Sequence, residues 1–152
     1  MTISPELRGE PLYNVNIFGY KFIWFIKNHK KKNIVIDGAE IKEYFSIPYF
    51  YYMSKAKYWV INCKMPEYMK KKSNQVYLQT WHGTPLKRLG HDIQVSENAT
   101  FYRSGMSYEE MCKSYDVDVE RYNYMISPNK FCTEVFQSSF GIDRERLIET
   151  GY

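Results

Sequence analysis

A chain of 152 residues with 44% hydrophobic and 25% charged content has room for one domain with a real core and is too short for two full ones. Its formal charge of +4 and pI near 8.8 favour an anionic partner, but the basic residues are scattered and no RNA- or DNA-reading motif accompanies them, which argues against a nucleic-acid-binding module. Cys63, Cys112 and Cys132 form no C-x-x-C pair and read as reduced, buried thiols of a cytosolic chain with no zinc site.

Residues 1–11 carry two prolines, a glycine and mixed charge, and read as an irregular arm. They lack the basic segment and apolar run of a secretory leader. From Leu12 to Lys32, the positions Ile17, Phe18, Phe22, Ile23, Phe25 and Ile26 suit a helix packed on a core. The run Lys27-Asn-His-Lys-Lys-Lys32 would close it, since cations complement the dipole at a helix C-terminus. The same run suits an anionic lipid surface, at about 1 kcal/mol per basic residue. Ile17 to Ile26, interrupted by Gly19 and Lys21, is far short of the roughly 20 residues of a bilayer span.

Asn33-Ile-Val-Ile-Asp37-Gly38 predicts a short buried strand ending in Asp-Gly. Residues 39–56 read as mainly helical, broken near Pro48, with a tyrosine-rich stretch at 49–52. Lys57 to Asn62 predicts a second strand, Pro66 to Lys72 a short basic helix, and Gln75 to Trp81 a third strand. That strand stops at His82-Gly83. Thr84 suits an N-cap and Pro85 the first helical position, so the pattern predicts strand, histidine, glycine turn and capped helix. The free amides of such a helix start attract anions. A titratable His82 at the rim, with Lys87 on the first turn, would suit phosphoryl transfer.

Residues 94–105 are polar and give no clear element. Asn98-Ala99-Thr100 is a formal glycosylation sequon, without meaning in a cytosolic chain. Ser107 with Glu110 makes a capping box for a helix that runs towards Arg121. Tyr122 to Ile126 is a fourth strand. Ser127-Pro128-Asn129 repeats the pattern of strand end, cap and proline before a helix that stops at Gly141, and Leu147 to Glu149 begins a fifth strand. Strands alternating with helices predict an α/β fold, a Rossmann-like parallel, doubly wound sheet flanked by helices. Ligands of such sheets bind beyond the strand carboxyl ends, where Asp37-Gly38, Asn62, His82-Gly83 and Ser127-Pro128 all fall. The 15 tyrosines suit clefts and interfaces. The organisation reads as an arm with a basic helix over 1–32 and one lobe over 33–152.

The run Tyr77-Leu-Gln-Thr-Trp-His-Gly-Thr-Pro-Leu-Lys87, followed by Leu89-Gly90 and Asp92, closely resembles the signature of the CDP-glycerol glycerophosphotransferase family, the teichoic-acid primases and polymerases. Residues 54–62, 124–129 and 140–152 also resemble that family, so that the likeness runs in order over about residues 34–152. It implies the N-terminal, acceptor-side lobe of a two-lobed GT-B fold, with the nucleotide held mostly by a C-terminal lobe. It implies transfer of glycerol phosphate from CDP-glycerol to a lipid-linked acceptor, with release of CMP, by a peripheral protein at the cytoplasmic face of the membrane. His82 corresponds to the family histidine thought to act as base or charge stabiliser. Beside it Gly83, Thr84 and Lys87 are the candidate substrate-binding residues, with the Thr84-Pro85 helix start and Lys87 placed to offset charge on the transferring group. No cofactor or metal is implied. The family's second histidine and its Ser/Thr-rich phosphate segment belong to the other lobe and are absent from these residues, so a truncated lobe working with a C-terminal lobe in trans is expected. The rival expectation is a split or truncated product that binds acceptor or membrane without turnover. His91 stands where an aromatic residue is expected.

Overall fold

The computed structural model describes residues 19–28, 34–95 and 105–151. The arm, the sequon and parts of the proposed first helix lie outside them. Two parallel sheets result. In the first, β1 (Phe22–Ile26) pairs with β2 (Ala39–Glu43), Phe22 opposite Ala39. In the second, β3 (Tyr58–Ile61), β4 (Val76–Gln79), β5 (Tyr124–Ser127) and β6 (Leu147–Glu149) lie side by side in chain order. Among the described residues three helices accompany them: α1 (Ile47–Lys55), α2 (Tyr108–Val119) and α3 (Lys130–Phe140). The parallel α/β architecture is the one the alternating pattern predicts. The strand order of the four-stranded sheet runs one way, so the reversal of a doubly wound sheet does not occur among the described residues.

Four local expectations are corrected. Phe22-Ile-Trp-Phe-Ile26 is a strand, not helix. Its apolar residues are contiguous rather than spaced on one helical stripe, and aromatic and β-branched side chains fit a pleated surface. Asp37-Gly38 is a turn before β2, not the end of a strand, with the Ala39 N–H donating to the Ile36 carbonyl at 3.3 Å. Pro48 does not break a helix over 39–56. It sits in the first turn of α1, where its missing N–H costs nothing, behind Ser46, whose hydroxyl accepts from the Tyr49 N–H at 3.3 Å.

The segment 66–72 is likewise not a helix. A single turn closes here, the Met69 N–H donating to the Pro66 carbonyl at 3.0 Å, and Arg121 ties the stretch down by donating to the carbonyls of Met65 (2.8 Å), Pro66 (2.8 Å) and Met69 (3.0 Å). Other elements match the sequence. Ser107 and Glu110 form the capping box of α2. Asn129 caps α3 by accepting from the Cys132 N–H at 2.9 Å, and Gly141 ends it in the left-handed region that favours glycine, at φ 63°.

One continuous core fixes these parts. Cys132, Phe136 and Phe140, four residues apart on α3, bury one stripe against Tyr77 and Met125 of the sheet and against Tyr122. Burying a side chain such as Phe136 contributes about 1.5–3 kcal/mol. No disulfide joins the three cysteines; Cys112 and Cys132 are buried as expected, whereas Cys63 is only half-buried.

Candidate functional site

β3 and β4 are parallel neighbours, so their carboxyl ends lie side by side. The Thr80 N–H extends the ladder by donating to the Ile61 carbonyl at 2.9 Å. The next residue breaks it. Trp81 has φ 57°, a left-handed conformation that costs a bulky residue about 1–2 kcal/mol. Two things hold it there. Gln79 Oε1 accepts the Trp81 N–H at 2.9 Å, and the indole packs on Phe140 and Phe136 with ring centroids 5.0 and 6.0 Å away. Gly83 follows at φ 154°, which suits a residue without Cβ.

His82 therefore stands out from the end of β4, exposed to solvent. Its Nδ1 lies 2.6 Å from the carbonyl oxygen of Asn62, just beyond β3. A carbonyl only accepts, so Nδ1 carries the proton and the neutral ring keeps its lone pair on Nε2. Among the described residues nothing bonds to Nε2. The imidazole also stacks on Trp81, with centroids 4.4 Å apart and planes 27° from parallel. An imidazolium formed at this place would lie over an electron-rich ring face.

The helix expected at Thr84-Pro85 does not form. Thr84 and Lys87 are exposed, Gly83 is half-buried, Pro85 is buried, and residues 84–89 run irregularly to a short 3-10 turn, Gly90–Asp92. Tertiary tethering overrides the local cap. A Cβ on Gly90 would lie 2.0 Å from the Ser139 carbonyl oxygen, so only glycine lets the chain cross α3 here. Asp92 Oδ2 accepts from the hydroxyls of Ser138 (2.6 Å) and Ser139 (2.7 Å), which hold its carboxyl below the usual carboxylate range. His91 Nε2 lies 2.7 Å from Asp116 Oδ1 on α2. The structure thus keeps His82 and Gly83 at the strand end and removes the helix amides that were expected behind Thr84. The helix start at this edge is that of α3, one strand over, after β5. Asp37-Gly38, in the turn before β2, does not belong to this edge.

Sequence reasoning missed what lies beneath His82. Gln79 is fully buried. Its Nε2 donates to the Cys63 carbonyl at 3.1 Å and to the Tyr122 hydroxyl at 3.3 Å. Tyr122 donates to Asp118 Oδ2 at 2.6 Å, and Asp118 pairs with Arg121. Burial, with the Asp118 charge adding to it, pushes the Tyr122 and Tyr77 hydroxyls far above the usual phenol range, so both stay protonated. The available signal was a polar residue at the inward phase of the strand, two places after Tyr77. Among the described residues no group of three or more His, Cys, Asp or Glu side chains is arranged to hold a metal ion.

The family described as CDP-glycerol:poly(glycerophosphate) glycerophosphotransferase matches residues 13–152. A teichoic acid poly(glycerol phosphate) polymerase of Staphylococcus epidermidis is 41% identical over 133 residues, 88% of this chain and 18% of that protein. A teichoic acid glycerol-phosphate transferase of Staphylococcus aureus is 34% identical over 136 residues, 87% of this chain and 33% of that one. The solved wall teichoic acid polymerase TagF, soaked with CDPG, superposes with a TM-score of 0.78 at 41% identity, covering 88% of this chain and 31% of that one. The chain therefore spans a third or less of the length of these relatives.

Proposed function

The chain belongs to the CDP-glycerol:poly(glycerophosphate) glycerophosphotransferase family, and from that premise we propose that it forms the acceptor-side lobe of a GT-B transferase that moves glycerol phosphate from CDP-glycerol onto a hydroxyl of a lipid-linked polyol-phosphate acceptor. The observation that carries this reading is His82, exposed at the strand edge with its Nδ1 tied to the Asn62 carbonyl. Nε2 takes the proton of the acceptor hydroxyl as that oxygen attacks the β-phosphorus of CDP-glycerol. The bond from that phosphorus to the bridging oxygen breaks, and CMP leaves in line. Trp81 and the Asn62 carbonyl stabilise the imidazolium. Gly83 leaves room for substrate, since nothing lies within 4 Å of where its Cβ would be. Thr84 and Lys87, on the exposed stretch beyond it, contact the transferring phosphate as side chains, without help from a helix start.

The lobe comprises residues 33–152, and the nucleotide is held by a second, C-terminal lobe, in the same protein or in trans. The share of TagF that this chain covers supports this division, and the CDPG with which a variant of that polymerase was soaked supports CDP-glycerol as the donor. The lipid-linked acceptor puts the protein at the cytoplasmic face of the membrane as a peripheral component. No helix among the described residues is long and apolar enough to cross a bilayer. Ile47 (87% exposed), Phe50 (41%) and Tyr51 (56%) crowd one side of α1, with Lys55 following, a pattern suited to an anionic lipid surface.

General-base help is typically about 10²–10⁴-fold in rate. His82→Ala is expected to lower CMP release from CDP-glycerol by that order, with the thermal transition unmoved; unchanged turnover removes His82 from the mechanism. The assay is run with and without an added C-terminal lobe. Turnover only with the added lobe supports the divided site, and full turnover without it sinks that division. No turnover in either arm, with CDP-glycerol or acceptor still bound, favours the rival reading of a binding lobe without catalysis.

A further inference from the structure

A fully buried glutamine at the end of a core strand is costly unless both ends of its amide are bonded. Gln79 satisfies both, and its partners are not arbitrary. Oε1 accepts from the N–H of Trp81, the residue before His82, at 2.9 Å. Nε2 donates to the carbonyl of Cys63, the residue after Asn62, at 3.1 Å. One side chain thus grips the turn that carries the imidazole and the loop that carries the imidazole's acceptor. It is held in turn by the Tyr122 hydroxyl, anchored on Asp118 and Arg121. We infer that Gln79 is a positioning residue for His82: its amide sets the left-handed turn at Trp81 and the place of the Asn62 carbonyl together, and so fixes the proton on Nδ1 and the free lone pair on Nε2.

The inference rests on the reading of His82 as the base, but its test does not need that reading to hold. A side chain three residues from the imidazole and fully buried touches no substrate, so its effect has to travel through the ring's tautomer and aim. A shift of about 1 Å in a catalytic group is enough to lower a rate about 10²-fold.

The experiment uses the full chain, labelled with 15N in its histidine rings, and long-range 1H–15N spectra to read which nitrogen carries the proton. His82→Ala assigns the His82 signals. The wild type should show one tautomer, protonated on Nδ1. Gln79→Met, of similar length but with no amide, should show a mixture of tautomers, and kcat in the assay above should fall about 10²-fold while KM stays near its wild-type value. Leu147→Val, a core change in β6 away from this network, serves as the control for lost stability and should keep the single tautomer. If Gln79→Met does not fold, Gln79→Asn answers the same question, since its amide is one methylene too short to reach both partners. A single Nδ1-protonated tautomer in the Gln79 variant, or the same change in Leu147→Val, overturns the inference. Unchanged turnover in His82→Ala would instead sink the base reading, and the tautomer result would still decide the role of Gln79.

Discussion

The ends of β4 and β5 begin alike and finish differently. After β4 come His82, Gly83, Thr84 and Pro85; after β5 come Pro128 and Asn129. Both stretches offer a capping side chain beside a proline, yet only the second becomes a helix. The cap did not decide this. α3 buries Cys132, Phe136 and Phe140 along one stripe, while beyond Pro85 the next apolar side chain, Leu86, is 92% exposed and Lys87 and Arg88 follow it. A short helix in water is marginal on propensity alone, and packing of an apolar face supplies most of its stability. The second end is also tied down, with the Thr133 hydroxyl donating to Ser127 Oγ at 2.8 Å and Glu149 Oε2 lying 2.9 Å away. The first is left open around an exposed imidazole. One strand end is scaffold and the other is the candidate site.

Truncations along the two segments sharpen that contrast most. Phe136→Ala should cost about 3–5 kcal/mol, read as a fall in the urea midpoint, whereas Leu86→Ala should stay within about 0.5 kcal/mol. Equal losses would mean that the stretch after Pro85 packs as α3 does. Next in size is the tether. Gly90→Ala puts a Cβ against the Ser139 carbonyl, in a backbone at φ 45°, and should destabilise by more than about 1 kcal/mol. Faster amide exchange over residues 84–92 than elsewhere would accompany it, and unaltered exchange would remove the tether argument.

The capping residue comes third. Asn129→Ala should cost about 1 kcal/mol and leave turnover per folded molecule unchanged, because the β5 end is scaffold; a loss of turnover larger than the loss of folded protein would move that end into the site. The smallest effect is one of pH. The Ser138 and Ser139 hydroxyls depress the Asp92 carboxyl, so the folded pKa lies below the unfolded value of about 3.9. Its contribution is present above that value and disappears as pH falls through the folded pKa. Asp92→Asn should therefore flatten the acid limb of the stability curve below about pH 4. A variant as acid-sensitive as the wild type would show that Asp92 carries none of it.

Much of this was legible in the residues. Tyr58 to Ile61 and Val76 to Gln79 read as strands from composition, and Ser107, Glu110 and Gly141 read as helix ends, because strand propensity and capping are local chemistry. What failed was decided from a distance. Phe22 to Ile26 is too short and too continuously apolar for periodicity to separate helix from strand, and its pairing with Ala39 to Glu43 settled the matter. Pro48 is as compatible with starting a helix as with ending one. Segment 66–72 is tied to Arg121, more than fifty residues away in sequence, and closes only one turn. The site divides in the same manner. His82 stood out because its type and its place at a strand end were visible, while Gln79 looked like one more strand residue until its partners, the Trp81 N–H and the Cys63 carbonyl, were known.

The one-directional strand order of the larger sheet bears on how the protein comes into being. Each of β4, β5 and β6 joins a neighbour that was made before it and waits for nothing made after it. During synthesis the sheet can grow one strand at a time as the polypeptide leaves the ribosome, with N-terminal parts folding first. The imidazole's resting place is then complete only when residues 118–122 emerge and lock Gln79 from below, some forty residues after the histidine's own strand has been laid down.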